Sequence, residues 1–121
     1  MKTTEFKELT KAEEQVMQAV WKVDKGFANE IVAAVDGKAT YNTVLSVVRV
    51  LEQKGYVSHV AFNRNNQYYP VVSREEYMQQ QLKGFAKRYF GSSARALVSF
   101  LVDRKEVSLE DLEAITGELK N

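Results

Sequence analysis

At Gly55 the chain changes its hydrophobic period, and few folds accommodate the change. Within Thr40–Gly55, TYNTVLSVVRVLEQKG, residues Val44, Val47, Val48 and Leu51 recur at i, i+3, i+4 and i+7, which is one face of a helix. Past Gly55 the period drops to two. Tyr56 to Phe62 and Gln67 to Val72 are rich in β-branched and aromatic residues, with Asn63-Arg64-Asn65-Asn66 between them. That pattern predicts a hairpin, because Asn tolerates the positive φ that tight turns demand. Thr40 fits the N-cap of the helix and Gly55 the left-handed position after its end. The face opposite the valines carries Asn42, Ser46, Arg49 and Gln53. Ordinary solvent faces are written in Glu and Lys. Short amides and hydroxyls with one guanidinium are instead the groups that read base edges in a DNA major groove. The plainer reading is an amphipathic helix with a polar outside, and the helix alone does not separate the two.

The flanking chain does. Thr10-Lys11-Ala12-Glu13 is a capping box, followed by Val16, Met17, Val20 and Trp21 on a first helix that Asp24-Lys25-Gly26 ends near Val23. A short second helix, about Asn29 to Val35, buries Ile31, Val32 and Val35. Three short helices and then a hairpin is the order of a winged helix-turn-helix, with Asn63 to Asn66 as the wing tip. Arg64 there would reach a phosphate or the minor groove. Pro70 places the second strand at an edge or ends it.

Ser73-Arg74-Glu75-Glu76 is a second capping box and opens a fourth helix with the stripe Met78, Leu82, Phe85 and Tyr89. After Gly91-Ser92-Ser93 a fifth helix carries Leu97, Val98, Leu101 and Val102, and Ser108 caps a sixth with Leu109, Leu112, Ile115 and Leu119. The expected fold is therefore mainly α with a small β-hairpin: a winged helix-turn-helix over residues 1–72, then a helical dimerisation region over 73–121. Three apolar stripes in so short a region make no sound core alone. A second copy is the favoured cover, through Phe85, Tyr89, Leu97, Leu101, Leu112 and Ile115. A two-fold dimer also lets two short helices read enough base pairs to be specific.

Composition narrows the function. Net charge is only +1 over 121 residues, so it does not by itself indicate nucleic acid, and a winged protein–protein module without specific DNA binding is the alternative. Charge distribution is more informative: Lys83, Lys87, Arg88 and Arg95 lie in an acid-free stretch from Tyr77 to Val102, and an acidic tail follows from Asp103. There is no Cys, hence no disulfide framework, thiolate metal site or cysteine nucleophile. No secretory leader and no membrane span is legible, so a cytoplasmic protein is expected. No phosphate loop, paired-His metal motif or nucleophile elbow is present, and the lone His59 lies in the hairpin. No enzyme, cofactor or metal is expected.

These residues resemble a known family. Leu9-Thr10-x-x-Glu13, Val16-Met17, Val20-Trp21 and Glu30-Ile31 are similar to the opening of the penicillinase and methicillin-resistance repressors. Thr43 to Leu51 with Lys54-Gly55-Tyr56 resembles that family's recognition helix, and Arg64, Tyr68 and Pro70 its wing. Tyr77, Phe90-Gly91-Ser92, Leu97-Val98 and Ser108-Leu109-Glu110 resemble its dimerisation region. The resemblance implies a homodimeric repressor on a palindromic operator, often controlling β-lactam resistance, and released by proteolysis when a membrane metallopeptidase sensor detects the antibiotic. It implies operator contacts from Asn42, Thr43 and Ser46, with Arg64 on the wing. With the helix start, Thr40 and Tyr41, and with Leu45 (which can meet a thymine methyl) and Arg49, this completes the expected DNA-contacting set. Two departures are legible. The family's cleavage bond, Asn-Phe, falls by position at Phe100-Leu101, and the cysteine cluster of its copper-responsive branch is absent.

Overall fold

The computed structural model of the chain describes residues 6–120. In order these form α1 (Lys11–Val23), β1 (Gly26–Phe27), α2 (Ala28–Ala34), α3 (Tyr41–Gln53), β2 (Val57–Phe62), β3 (Asn65–Pro70), α4 (Arg74–Phe90), α5 (Ala94–Asp103) and α6 (Leu109–Lys120). The winged helix-turn-helix order is thus present. Thr10 closes its capping box with Glu13 through bonds of 3.1 and 3.0 Å, and Ser73 does the same with Glu76 at 3.1 and 2.9 Å. Gly55, at φ +85°, ends the helical run in the left-handed region as expected.

Two features of the sheet depart from the sequence reading. The sheet has three strands in the order β1-β3-β2, because Gly26 and Phe27 pair with Tyr68 and Gln67. Gly26 read as a helix stop; it is also where a strand passes so close to Val23 that an added Cβ would meet Val23 Cγ1 at 2.4 Å. The wing tip is shorter than the four residues expected. Phe62 pairs with Asn65 and Ala61 with Asn66, so the turn is Asn63-Arg64 alone. Pro70 closes the central strand, beyond the two residues that β1 engages.

The chain divides into two compact units, the first reaching Gln80 and the second starting at Gln81. The first is built around Met17, Val20, Ile31, Val48, Leu51 and Tyr56, all excluded from water. Val32 and Val35, expected inside, are only half-buried. Ser73 marks where α4 begins, but Tyr77 is buried in the first unit, so the unit extends past that cap. There its ring meets Trp21 at 5.5 Å and Tyr56 at 5.9 Å, and its hydroxyl donates to Glu14 at 2.7 Å. Burial, then that carboxylate, pushes the Tyr77 phenol well above its ordinary value.

The second unit holds its own aromatic contacts, Phe85 to Tyr89 at 5.0 Å and Phe90 to Phe100 at 5.6 Å. Ser93 and Ser108 cap α5 and α6 by accepting from Ala96 N–H and Asp111 N–H, each at 3.0 Å. Among its described residues none is buried. Leu97, Leu101 and Leu112 are half-buried, whereas Phe85, Tyr89 and Ile115 are exposed.

Leu51→Ala would leave a void where no water enters, and is expected to cost about 2–5 kcal/mol in urea unfolding of the first unit. A loss below about 1 kcal/mol would contradict the packing described.

Candidate nucleic-acid interface

Burial of Val44, Val48 and Leu51 turns the opposite face of α3 outward, and Asn42, Ser46, Arg49 and Gln53 are all exposed on it. Thr43 is exposed beside this ridge. Thr40 is the N-cap. Its hydroxyl oxygen accepts from Thr43 N–H at 3.2 Å and donates to the Thr43 hydroxyl at 2.9 Å. The Thr40 hydroxyl is therefore engaged in holding the helix start, while that of Thr43 keeps its own proton to donate outward.

Tyr41, Leu45 and Arg49 stand on the side of α3 nearest the hairpin. They form one wall of an open cleft whose other wall is Arg64, Asn65 and Asn66 of the wing. Thr40, Asn42, Thr43 and Ser46 do not line this cleft. Four of the expected residues are thus gathered with the wing, and four stand along the helix ridge or at its cap. Asn65, Asn66, Phe27 and Tyr68 also line the cleft, although the sequence reading gave none of them a DNA-contacting role; Tyr68 was matched only to the family's wing pattern. The Asn run was visible but read only as turn chemistry. Phe27 had no sequence signal, because the strand that presents it is two residues long.

No acidic side chain lines the cleft. Among the described residues the ion pairs are Lys54 with Glu13 and His59 with Glu52, so Arg49 and Arg64 are not neutralised by a carboxylate. His59 also packs on the Tyr68 ring at 5.6 Å. Two free guanidiniums, three amides counting Asn29, and an apolar floor form a concave surface able to take phosphate charge and base edges together.

The wing tip carries strain. Asn63 and Arg64 have φ of +49° and +70°, consecutive left-handed residues as a type I′ turn requires. Asn accepts this conformation readily; Arg does not, and glycine is the usual occupant of the second position. An arginine held there against local preference suggests a task for its charge. Arg64→Gly is expected to leave the thermal midpoint unchanged or to add up to about 1 kcal/mol of stability. A loss of more than that would show that the arginine packs rather than presents charge.

Comparison with known proteins follows this geometry. Residues 9–121 match the profile of the penicillinase repressor family. The methicillin resistance regulatory protein MecI of Staphylococcus aureus (strain N315) is 24% identical over 110 residues, 89% of each chain. The penicillinase repressor of Bacillus licheniformis is 21% identical over 110 residues, 89% of this chain and 86% of that one. A solved structure of Bordetella bronchiseptica BpsR, from a study of how 6-hydroxynicotinic acid regulates its DNA binding, aligns at TM-score 0.49 and 14% identity. It covers 93% of this chain and 73% of that one, a likeness too weak to bear on ligand or mechanism.

Proposed function

The chain belongs to the penicillinase repressor family, and on that footing we propose that it represses transcription as a homodimer bound to a two-fold-symmetric operator. The observation that carries this reading is the acid-free cleft between α3 and the wing, with Arg49 and Arg64 unpaired on its two walls. The ridge of Asn42, Thr43 and Ser46 enters the major groove and reads base edges. Thr40 and Tyr41 approach the backbone at the helix start, and Leu45 meets a thymine methyl. Arg49 lies far enough along α3 to take a phosphate, and Arg64 takes one from the wing.

The second subunit is supported by the bareness of the second unit. Helices that bury nothing of their own need a cover, and Phe85, Tyr89, Phe100 and Ile115 are all more than two-fifths exposed. Leu97, Leu101 and Leu112 complete that interface, in a dimerisation region that starts at the Ser73 cap. The genes controlled are β-lactam resistance genes, by likeness to the relatives above. Release follows from cutting this region at Phe100-Leu101 by, or downstream of, a membrane metallopeptidase sensor. Phe100 is 45% exposed, but the bond is helical, so a protease must open α5 locally to reach it.

DNA sites selected from a random pool test the reading in a gel shift at two salt concentrations. Tight, sequence-specific binding that falls steeply with salt is expected from phosphate contact and counterion release. Binding of a protein partner with no specific DNA site would favour the interaction-module alternative. Asn42→Ala is expected to cost about 1–3 kcal/mol on the selected site and little on unrelated DNA. An equal loss on both would remove Asn42 from the base-reading set.

Leu101→Asp places a charge in the proposed dimer interface and is expected to give a monomer in analytical ultracentrifugation. A monomer at micromolar concentration for the unmodified chain contradicts the dimer.

A further inference from the structure

In the second unit, charge is divided between helices that each carry an apolar face. At about 100° per residue, Leu82, Phe85 and Tyr89 share one face of α4, all of them exposed. Lys83 and Lys87 border that face on one edge and Arg88 on the other, and α4 holds no acid from Tyr77 to its end. On α6 the face is Leu109, Leu112 and Ile115. Glu113 borders it on one edge and Glu118 on the other, and Lys120 is the only base in the helix beside four acids. Among the described residues no carboxylate stands within ion-pairing distance of Lys83, Lys87 or Arg88, and no cation within that distance of Glu113 or Glu118. Nor do the two helices pack along one another within one chain. Each presents an apolar face framed by charge of one sign, and the two frames are complementary.

We propose that in the dimer α4 of each copy packs against α6 of the other, with Lys83, Lys87 and Arg88 set against Glu113 and Glu118. The inference rests on the dimeric reading above and adds to it which helix covers which. Hydrophobic contact does not choose among apolar faces, because it is non-directional and scales with the area covered. Charge at the rim does choose. Pairing α4 with α4 would set cations against cations, and pairing α6 with α6 would set carboxylates against carboxylates. Pairing α4 with α6 gives attraction at both edges, and a two-fold axis makes every such contact twice. Rim charges fix partner and orientation in the same way where helices of a coiled coil meet along an apolar seam. A single exposed pair contributes little, but each reversed charge here turns an attraction into a repulsion in both copies. The same frames turn away a partner whose last helix is basic, so the arm selects its own copy.

Sedimentation equilibrium of the full chain at about 0.05 M and about 0.5 M salt tests the arrangement, since exposed charges are screened across that range. The unmodified dimer is expected to weaken about tenfold at the higher salt. Lys83→Glu with Arg88→Glu should raise the dissociation constant about tenfold at the lower salt, and added salt should then tighten the dimer. Adding Glu113→Lys and Glu118→Lys to the same chain should bring the dissociation constant back to within about threefold of the unmodified value. That recovery also shows that α4 tolerates the exchange. Lys22→Glu with Lys25→Glu, two exposed positions of the first unit, makes the same change in net charge and should leave the dimer unaffected. Three results each overturn the α4–α6 pairing and leave the dimer standing: an unmodified dimer that tightens with salt, a Lys83→Glu and Arg88→Glu chain no weaker than the Lys22→Glu and Lys25→Glu control, or a four-fold variant that stays dissociated. An unmodified chain that is monomeric at micromolar concentration at both salts overturns the pairing and the dimer together.

Discussion

The exclusion of Val44, Val48 and Leu51 from water is the constraint on which the rest of the first unit depends. These side chains lock the rotation of α3 about its own axis. A turn of the helix by one residue, about 100°, would bring polar ridge residues inward, and enclosing an unpaired guanidinium costs several kcal/mol. The outward display of Asn42, Ser46 and Arg49 is thus a consequence of core packing and needs no contact of its own to maintain it. The same packing puts Tyr41, Leu45 and Arg49 against the hairpin side, where they meet the wing.

The wing depends on the opposite kind of arrangement, a strained turn supported from outside. Its two left-handed residues are held by the β2–β3 ladder, and β1 adds a third strand that keeps β3 in the middle of the sheet. Phe62, 54% exposed near the tip, leans on Phe27 of β1 at 6.1 Å between ring centres. The hairpin is braced on the side away from its free edge, so the Asn63-Arg64 tip stands on a three-stranded base.

Much of this was legible in the residues themselves. The period change at Gly55, the capping boxes at Thr10 and Ser73, and the valine face of α3 each act within a few residues, where local spacing carries the information. What escaped is non-local. Strand β1 is two residues long, and only its pairing with Tyr68 and Gln67 makes it a strand. Asn65 and Asn66 have turn chemistry but are drawn into β3 by the ladder across from Phe62 and Ala61. The cleft is a relation between α3 and the wing, so Asn65 and Asn66 could be named from sequence only as a tip, not as a wall. The contact of Gln80 with Phe6 spans 74 positions and has no periodic trace at all.

The two halves of the chain answer to different demands. The first unit is satisfied within itself: a closed core, bonded caps and, among the described residues, no buried side-chain polar atom without a partner. The second is a set of capped helices with apolar faces bare to water. In the proposed dimer, coupling a self-sufficient first unit to an arm covered by another copy makes operator affinity depend on assembly. Hydroxyl-radical footprinting of the full chain on its selected operator tests this most directly. Two protected patches, about one helical turn apart and related by a two-fold axis, are the expected result. A single patch, or uniform protection that ignores the selected sequence, would contradict it.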